Sequence, residues 1–143
     1  MASVFTQIVN GDIPCHKILE DERYLAFLDI NPVRPGHTLV ITKREIDYVF
    51  DLEDNFFSGL MVFSKRVGVA IKKATHCQRV GVVVAGYEVP HVHVHLIPTS
   101  AMTDYKITLA RRAEQSEFIK IRRPPITLVE SVRPVPQAGD WRR

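Results

Sequence analysis

Residues 91–98 read His-Val-His-Val-His-Leu-Ile-Pro, and no other stretch restricts the fold of this chain so tightly. A strand turns successive side chains to opposite faces. In extended form His91, His93 and His95 line one face, while Val92, Val94 and Leu96 line the other. Alternate residues on a strand lie roughly 6–7 Å apart, so the run predicts a row of three imidazoles backed by an apolar surface. An ordinary half-exposed strand needs no histidine, because Thr, Lys or Glu fill outward positions without titrating near neutrality. The row therefore marks a site as well as a strand, with Pro98 expected to end it.

The surrounding pattern supplies partners. Val80–Ala85 reads as a buried strand that turns through Gly86 to Pro90 into the histidine run, and His37–Thr42 is a second β-branched strand. Before it, Asn31-Pro32-Val33-Arg34-Pro35-Gly36 is a rigid connector too rich in proline for helix. Lys17–Glu20 and Tyr24–Asp29 look like paired strands with Asp21-Glu22 at the turn, and Phe5–Val9 like a short helix closed by Asn10-Gly11. One longer helix is expected, because Phe56, Leu60, Phe63, Val67, Ala70, Ile71 and Ala74 recur at helical spacing. Asp51 or Asp54 is its expected cap, and the stripe reads as core rather than a ligand box.

At 143 residues the chain fits one domain with a real core, and no run approaches the ~20 apolar residues of a membrane span. The N-terminal Met-Ala-Ser-Val-Phe-Thr lacks the features of a secretory signal, and Cys15 and Cys77 form no disulfide framework or metal motif. A cytoplasmic location is the expectation. Residues 1–103 hold 10 Lys and Arg against 11 Asp and Glu, whereas residues 104–143 hold 9 against 5. Basicity thus belongs to the C-terminal segment; no nucleic-acid motif accompanies it, and nucleic-acid binding is not expected. Ile107–Phe118 could form a helix, whereas Arg122-Arg123-Pro124-Pro125, Pro134 and Pro136 predict an irregular stretch over 122–143, mobile or draped on a partner.

Two chemistries suit three histidines on a strand. They could bind a metal such as zinc, which needs further ligands of which Glu88 is the only local carboxylate. Alternatively, one neutral imidazole attacks phosphorus while its neighbours orient it and hold phosphate oxygens. The second fits better, because no carboxylate or cysteine stands at ligand spacing.

The run His91-Val-His93-Val-His95-Leu-Ile resembles the signature of the histidine-triad (HIT) family, His-φ-His-φ-His-φ-φ with φ apolar. Upstream, Leu25-Ala-Phe27-Leu-Asp29-Ile30-Asn-Pro32 and Pro35-Gly36-His37-Thr-Leu-Val-Ile41 resemble its nucleoside-binding strands in order and spacing. Ala85-Gly86-Tyr87-Glu88-Val89 resembles its Ala-Gly-Gln-Thr/Ser-Val stretch. The likeness covers about residues 3–100. It implies an α+β fold, with an antiparallel sheet of about five strands and one main helix packed on it. It divides the chain into a HIT domain over 1–104 and an atypical basic, Pro-containing segment over 105–143. It also implies a homodimer joining two sheets side by side.

By activity, the resemblance implies a nucleotide hydrolase or nucleotidyl transferase. It would act at the α-phosphorus of a purine nucleotide conjugate of AMP or GMP, phosphoramidate-like or a dinucleoside polyphosphate, through a nucleotidyl-histidine intermediate. No cofactor is implied. His93 would be the nucleophile, His95 would bind phosphate and stabilise the transition state, His91 would orient His93 through a backbone carbonyl, and His37 would complete the cluster. Asp29 would accept hydrogen bonds from the ribose hydroxyls, and Phe27 and Ile30 would sandwich the base. Other roles stay open: core for Phe27 and Ile30, a cap of the Asn31-Pro32 turn for Asp29, a structural histidine for His37. His16 and His76 match nothing and are expected on the surface.

The chain departs from the pattern at two places near the site. Many bacterial relatives carry zinc on an N-terminal Cys-x-x-Cys, a later His and the first His of the triad. Ser3 and Thr6 occupy the Cys positions here and Asp47 falls about where the later His belongs, so no structural zinc is expected. Tyr87 and Glu88 replace the usual Gln and Ser or Thr, which leaves the leaving group undefined and keeps a second role open, a nucleotide-binding sensor or interaction protein with little catalysis.

Overall fold

The computed structural model describes residues 1–105 and 110–119. In chain order the elements are α1 (Val4–Val9), β1 (Lys17–Glu20), β2 (Tyr24–Leu28), β3 (Thr38–Thr42), α2 (Asp54–Thr75), β4 (Arg79–Val83) and β5 (His93–Thr99). The five strands form one sheet in the order β1-β2-β3-β5-β4, and every neighbouring pair is antiparallel. This is the expected α+β architecture.

Side-chain alternation builds two layers of core. Tyr24, Ala26 and Leu28 of β2, Val40 of β3, and Val94 and Leu96 of β5 point to the same side. There they meet Phe56, Leu60, Phe63, Val67, Ala70 and Ile71 of α2. The helical stripe is therefore core, as its spacing requires. On the opposite face Leu25, Phe27, Leu39 and Ile41 gather around Phe5 of α1. With both faces covered, all five residues of β2 and all five of β3 are buried. The odd-numbered residues of β5, His93 and His95, thus look away from α2.

Several local expectations are corrected. Neither Asp51 nor Asp54 caps α2: the cap position is Glu53 without a side-chain bond, Asp51 ends a 3-10 turn over Val49–Asp51, and Asp54 lies inside the first turn. Its charge still suits the helix N-terminus, as Lys72 and Lys73 suit the last turn. The strand near residue 80 is an edge rather than buried: β4 pairs with β5 alone, only its Gly81 is buried, and Val82 is 53 % exposed. Pro98 does not end β5, which runs on to Thr99. Pairing with β3 stops at Leu96, so Pro98 sits where the strand is paired on one side only, a position that tolerates a missing N–H.

Gly36 sets the approach to β3. Its φ is +96°, and a Cβ there would lie 2.7 Å from Thr75 Cγ2 and 3.1 Å from Pro98 Cγ. Only glycine meets both demands, so the chain can enter His37 hard against the end of α2.

Past the sheet, a 3-10 turn covers Met102–Tyr105. The expected helix over 107–118 reduces, among the described residues, to a helical turn at 115–119 after a stretch without regular structure at 110–114. There the Arg111 and Ala113 N–H groups donate to the carbonyls of Pro32 and Ile30, at 3.4 and 3.1 Å. Phe118 is buried and stacks on His16 at 4.1 Å, so His16 is half-buried rather than a surface residue. The expectation for 122–143 lies outside the described residues. Among those, no helix is long and apolar enough to cross a membrane.

Candidate active site

β5 carries two of the three histidines of the run, and the third stands in the turn before it. His93 and His95 occupy alternate positions, opposite Ile41 and Leu39 of β3, with ring centroids 5.0 Å apart. His91 lies outside the strand, so the expected row of three is a pair plus a support. The His91 ring is wholly buried between the end of β3 and α1. Its Nε2 lies 2.6 Å from the Thr42 carbonyl oxygen and its Nδ1 2.7 Å from Ser3 Oγ. The His91 carbonyl oxygen in turn lies 2.6 Å from His93 Nδ1.

These contacts assign the ring protons. A carbonyl oxygen only accepts, so His93 carries its proton on Nδ1 and leaves Nε2 with a free lone pair. His37 Nδ1 accepts from the Val33 N–H at 3.1 Å, so its proton sits on Nε2. That nitrogen lies 2.9 Å from His95 Nδ1, which must accept. His95 therefore bears its proton on Nε2. One histidine of the pair presents a lone pair, the other a donor.

Burial keeps the cluster uncharged. Desolvation, and then the neighbouring His95, push His37 down to about 3. Desolvation followed by His93 push His95 down to about 4. Desolvation also lowers His93 below the usual imidazole range, against the His91 carbonyl, which favours the charged ring. All three are neutral at pH 7.

The remaining sequence candidates divide by distance. Asp29 follows β2 and lies beside His37, Oδ2 to Nε2 3.6 Å; its N–H continues the ladder to the His37 carbonyl at 2.9 Å. Its Oδ1 accepts the Asn31 N–H at 2.9 Å, so it does close the turn while Oδ2 stays beside the imidazoles. Desolvation raises its carboxyl to about 6. Phe27 lies on the imidazole face, buried beside Phe5, and pairs with Leu39, which pairs with His95. Two strand spacings of ~4.8 Å put it roughly 10 Å from His95. Ile30 is not core: it is 51 % exposed at the end of β2. Tyr87 and Glu88 stand on the exposed loop before His91, Tyr87 95 % exposed. Glu88 is close enough for its charge to act on both Asp29 and His93.

Two groups could be asked to hold a metal. Asp29, His37 and His95 each offer one ligand atom within 4.8 Å of the others, although His37 Nε2 and His95 Nδ1 are already engaged with each other at 2.9 Å. The group around His91 is the one that the resemblance to the HIT family would assign to zinc. Its fourth member is Glu45, not Asp47: Glu45 Oε2 accepts from the Ser3 N–H at 3.0 Å and from the Thr6 hydroxyl. Two neutral hydroxyls, one carboxylate and one imidazole, already bonded to one another, do not fit a structural zinc, whose ligands are thiolates and imidazoles. The resemblance brings Ser3 and Thr6 together but puts Asp47 beside them, because nothing local in the sequence ties Glu45 to residues 39 or more positions away.

With the geometry in hand, comparison with known proteins is specific. A profile of the HIT domain matches residues 10–102. The chain is 39 % identical over 99 residues to the adenosine 5′-monophosphoramidase of Saccharomyces cerevisiae, covering 68 % of this chain and 62 % of that protein. An uncharacterized HIT-like protein of Borreliella burgdorferi is 36 % identical over 102 residues, 66 % of this chain and 73 % of that one. A zinc-bound histidine triad family protein from Mycobacterium smegmatis superposes with a TM-score of 0.77 at 28 % identity, covering 92 % of this chain and 97 % of that one. The sheet order, the histidine pair on the face opposite the long helix, and a match through both make this chain a member of the HIT family.

Proposed function

We propose that the protein hydrolyses or transfers the nucleotidyl group of purine nucleotide conjugates by way of a nucleotidyl–His93 intermediate. The observation that carries this reading is the proton assignment. His93 Nδ1 donates to the His91 carbonyl, leaving Nε2 unprotonated beside a neutral, donating His95. In the first step Nε2 bonds to the α-phosphorus and the bond to the leaving group breaks, the leaving amine or phosphate taking a proton. In the second, water displaces the imidazole and nucleoside monophosphate departs. The His95 Nε2–H donates to a phosphate oxygen as charge builds there, and His37 holds that tautomer. The named activity of the yeast relative, an adenosine 5′-monophosphoramidase, supports an AMP conjugate as substrate.

The nucleoside would lie along the same face, with Phe27 and Ile30 flanking the base and Asp29 accepting from the ribose hydroxyls. Tyr87 and Glu88, on the loop over His93, would face the leaving group. Their exposure fits contact with a bound molecule rather than a structural role. Residues 1–104 would form the catalytic domain and 105–143 an appended segment.

A quench in base tests the reading directly, because the P–N bond of a phosphorylated imidazole breaks in acid and survives alkali. Adenylate labelled at the α-phosphorus should remain on the protein after denaturation in mild base and disappear in a His93 variant. AMP binding without label or turnover would assign a nucleotide-binding role instead.

The pH profile gives a second test. Asp29 must be ionised to accept from the ribose, and its carboxyl is raised to about 6, whereas His95 and His37 stay neutral down to about 4 and 3. The acid limb of kcat/KM, which reports the free enzyme, should therefore fall near pH 6 through KM. Asp29→Asn should flatten that limb while raising KM; an acid limb unmoved by this change would remove Asp29 from the ribose.

A homodimer is proposed on the edge strand. The outer edge of β4 has no partner strand among the described residues, and a groove of about 340 Å³ between it and α2 is lined by Met61, Gly68, Val69, Val80 and Val82. An exposed apolar edge of this kind is a template for pairing with a second copy. Light scattering should give twice the chain mass for the wild type and a single mass for Val82→Asp; a monomeric wild type would refute the assignment.

A further inference from the structure

We propose that Ser3, backed by Thr6 and Glu45, is a positioning residue for the histidine pair, a metal-free strut that reaches from the surface to His91 and sets which nitrogen of His93 is free.

The strut is a chain of directed protons. The Thr42 carbonyl can only accept, so His91 carries its proton on Nε2 and its Nδ1 must accept from the Ser3 hydroxyl at 2.7 Å. Ser3 Oγ in turn accepts the Thr6 N–H at 3.1 Å, which closes the start of α1. The Thr6 hydroxyl and the Ser3 N–H both end on Glu45 Oε2. Thr6 Oγ1 also lies within reach of the Ser3 hydroxyl, at 3.3 Å, but the shorter contact to His91 Nδ1 takes its proton, and the run terminates in a carboxylate, which is a sink for hydrogen bonds rather than a source.

A helix cap alone would not need the second half of this arrangement. The His91 ring is clamped at both nitrogens, by the last residue of β3 on one side and the residue before α1 on the other. Its main chain is held as well, the N–H donating to the Val89 carbonyl at 2.8 Å. The peptide plane that carries the His91 carbonyl is held at its other end, where the Val92 N–H donates to the Ile46 carbonyl at 2.7 Å, and the His91 carbonyl receives His93 Nδ1–H at 2.6 Å. Phe5 of α1, two residues beyond Ser3, packs edge-on against both His91 and His93, with centroids 5.7 and 5.0 Å away. The same short helix thus touches both the support and the nucleophile. The chemistry of the group, hydroxyls and a carboxylate in place of thiolates, makes hydrogen bonding the means of attachment.

The test compares Ser3→Ala, Ser3→Thr and Thr6→Val, using adenosine 5′-phosphoramidate as the probe substrate and ¹⁵N spectra of the histidine rings. Ser3→Ala should lower kcat about tenfold or more with KM changed less than about twofold, the pattern of a misplaced nucleophile rather than lost binding. In the same variant the His91 Nδ1 resonance should move further toward that of an unprotonated nitrogen accepting no hydrogen bond, and the His93 Nδ1–H resonance should move with it. Ser3→Thr, which keeps the hydroxyl, should restore rate and spectra, and Thr6→Val should give a smaller change of the same kind. Wild-type kcat in Ser3→Ala, or a fall in kcat with both ring signals unmoved, would overturn the proposal. So would stoichiometric zinc in the purified wild-type protein that is lost in Ser3→Ala. The rate measurement rests on the nucleotidyl-transfer reading, but the spectra do not. Should the wild type turn over no substrate, the coupled movement of the His91 and His93 signals still decides the strut.

Discussion

Replacing His93 by Asn is expected to cut turnover of adenosine 5′-phosphoramidate by at least about 10³-fold, because a covalent path loses its only nucleophile. Asn is the informative substitution. Its amide N–H₂ can still donate to the His91 carbonyl, which His93 Nδ1 meets at 2.6 Å, so that carbonyl keeps a partner. The ring of His93 also packs edge-on against Phe5 and His95, at 5.0 Å in each case, and loss of this contact will cost some stability. Affinity for AMP should therefore be measured alongside rate. The expected result is binding within a few-fold of wild type, no base-stable label on the protein, and a kcat at the limit of detection. Near-normal turnover would take His93 out of the reaction, however well the ring is placed.

Acidification should unfold this protein well before its carboxylates are all protonated. His37 and His95 are buried neutral, at about 3 and about 4, whereas in the unfolded chain each titrates near 6.5. Below 6.5 the unfolded state binds protons that the folded state refuses, so stability falls as pH falls. By pH 5 each imidazole costs about 2 kcal/mol relative to neutral pH, and His93, lowered for the same reason, adds to this. Asp29 acts in the opposite sense. Its carboxyl is raised to about 6, so the folded state takes up its proton first and regains about 1 kcal/mol by pH 5. The net loss between pH 7 and pH 5 is on the order of 3 kcal/mol, a large fraction of the stability of a domain of this size. Urea unfolding at the two pH values measures it. His37→Asn should shrink the difference by about 2 kcal/mol, since it removes one group that must stay neutral. Equal stability at pH 7 and pH 5 would mean that these rings are open to water in the folded state.

How much of this was legible in one dimension depended on whether the interaction was local. Alternation along residues 91–98 placed Val94 and Leu96 against the helix and His93 and His95 opposite it, because side-chain direction on a strand needs no partner to define it. The stripe from Phe56 to Ala74 announced α2 for the same reason. Strand edges and caps were less readable. Val80–Ala85 has the composition of a buried strand, but whether a strand is central or at an edge is settled by what lies beside it, and among the described residues nothing pairs beyond β4. The α2 cap fell at Glu53 because the 3-10 turn over Val49–Asp51 carried Asp51 off before it could serve. His91 shared the alternation of the triad yet left the strand, because Ser3 and Thr42 take its two ring nitrogens.

The candidate site residues and the positions of the strands along the chain were written in the linear pattern, since periodicity and residue type express themselves within a few positions. Which nitrogen of each imidazole carries a proton was decided only in three dimensions. That choice belongs to the carbonyls of Thr42 and His91, the N–H of Val33 and the hydroxyl of Ser3, each brought in from a different part of the chain. Hydrogen-bond direction depends on the identity and position of both partners, and only the folded sheet puts both within reach.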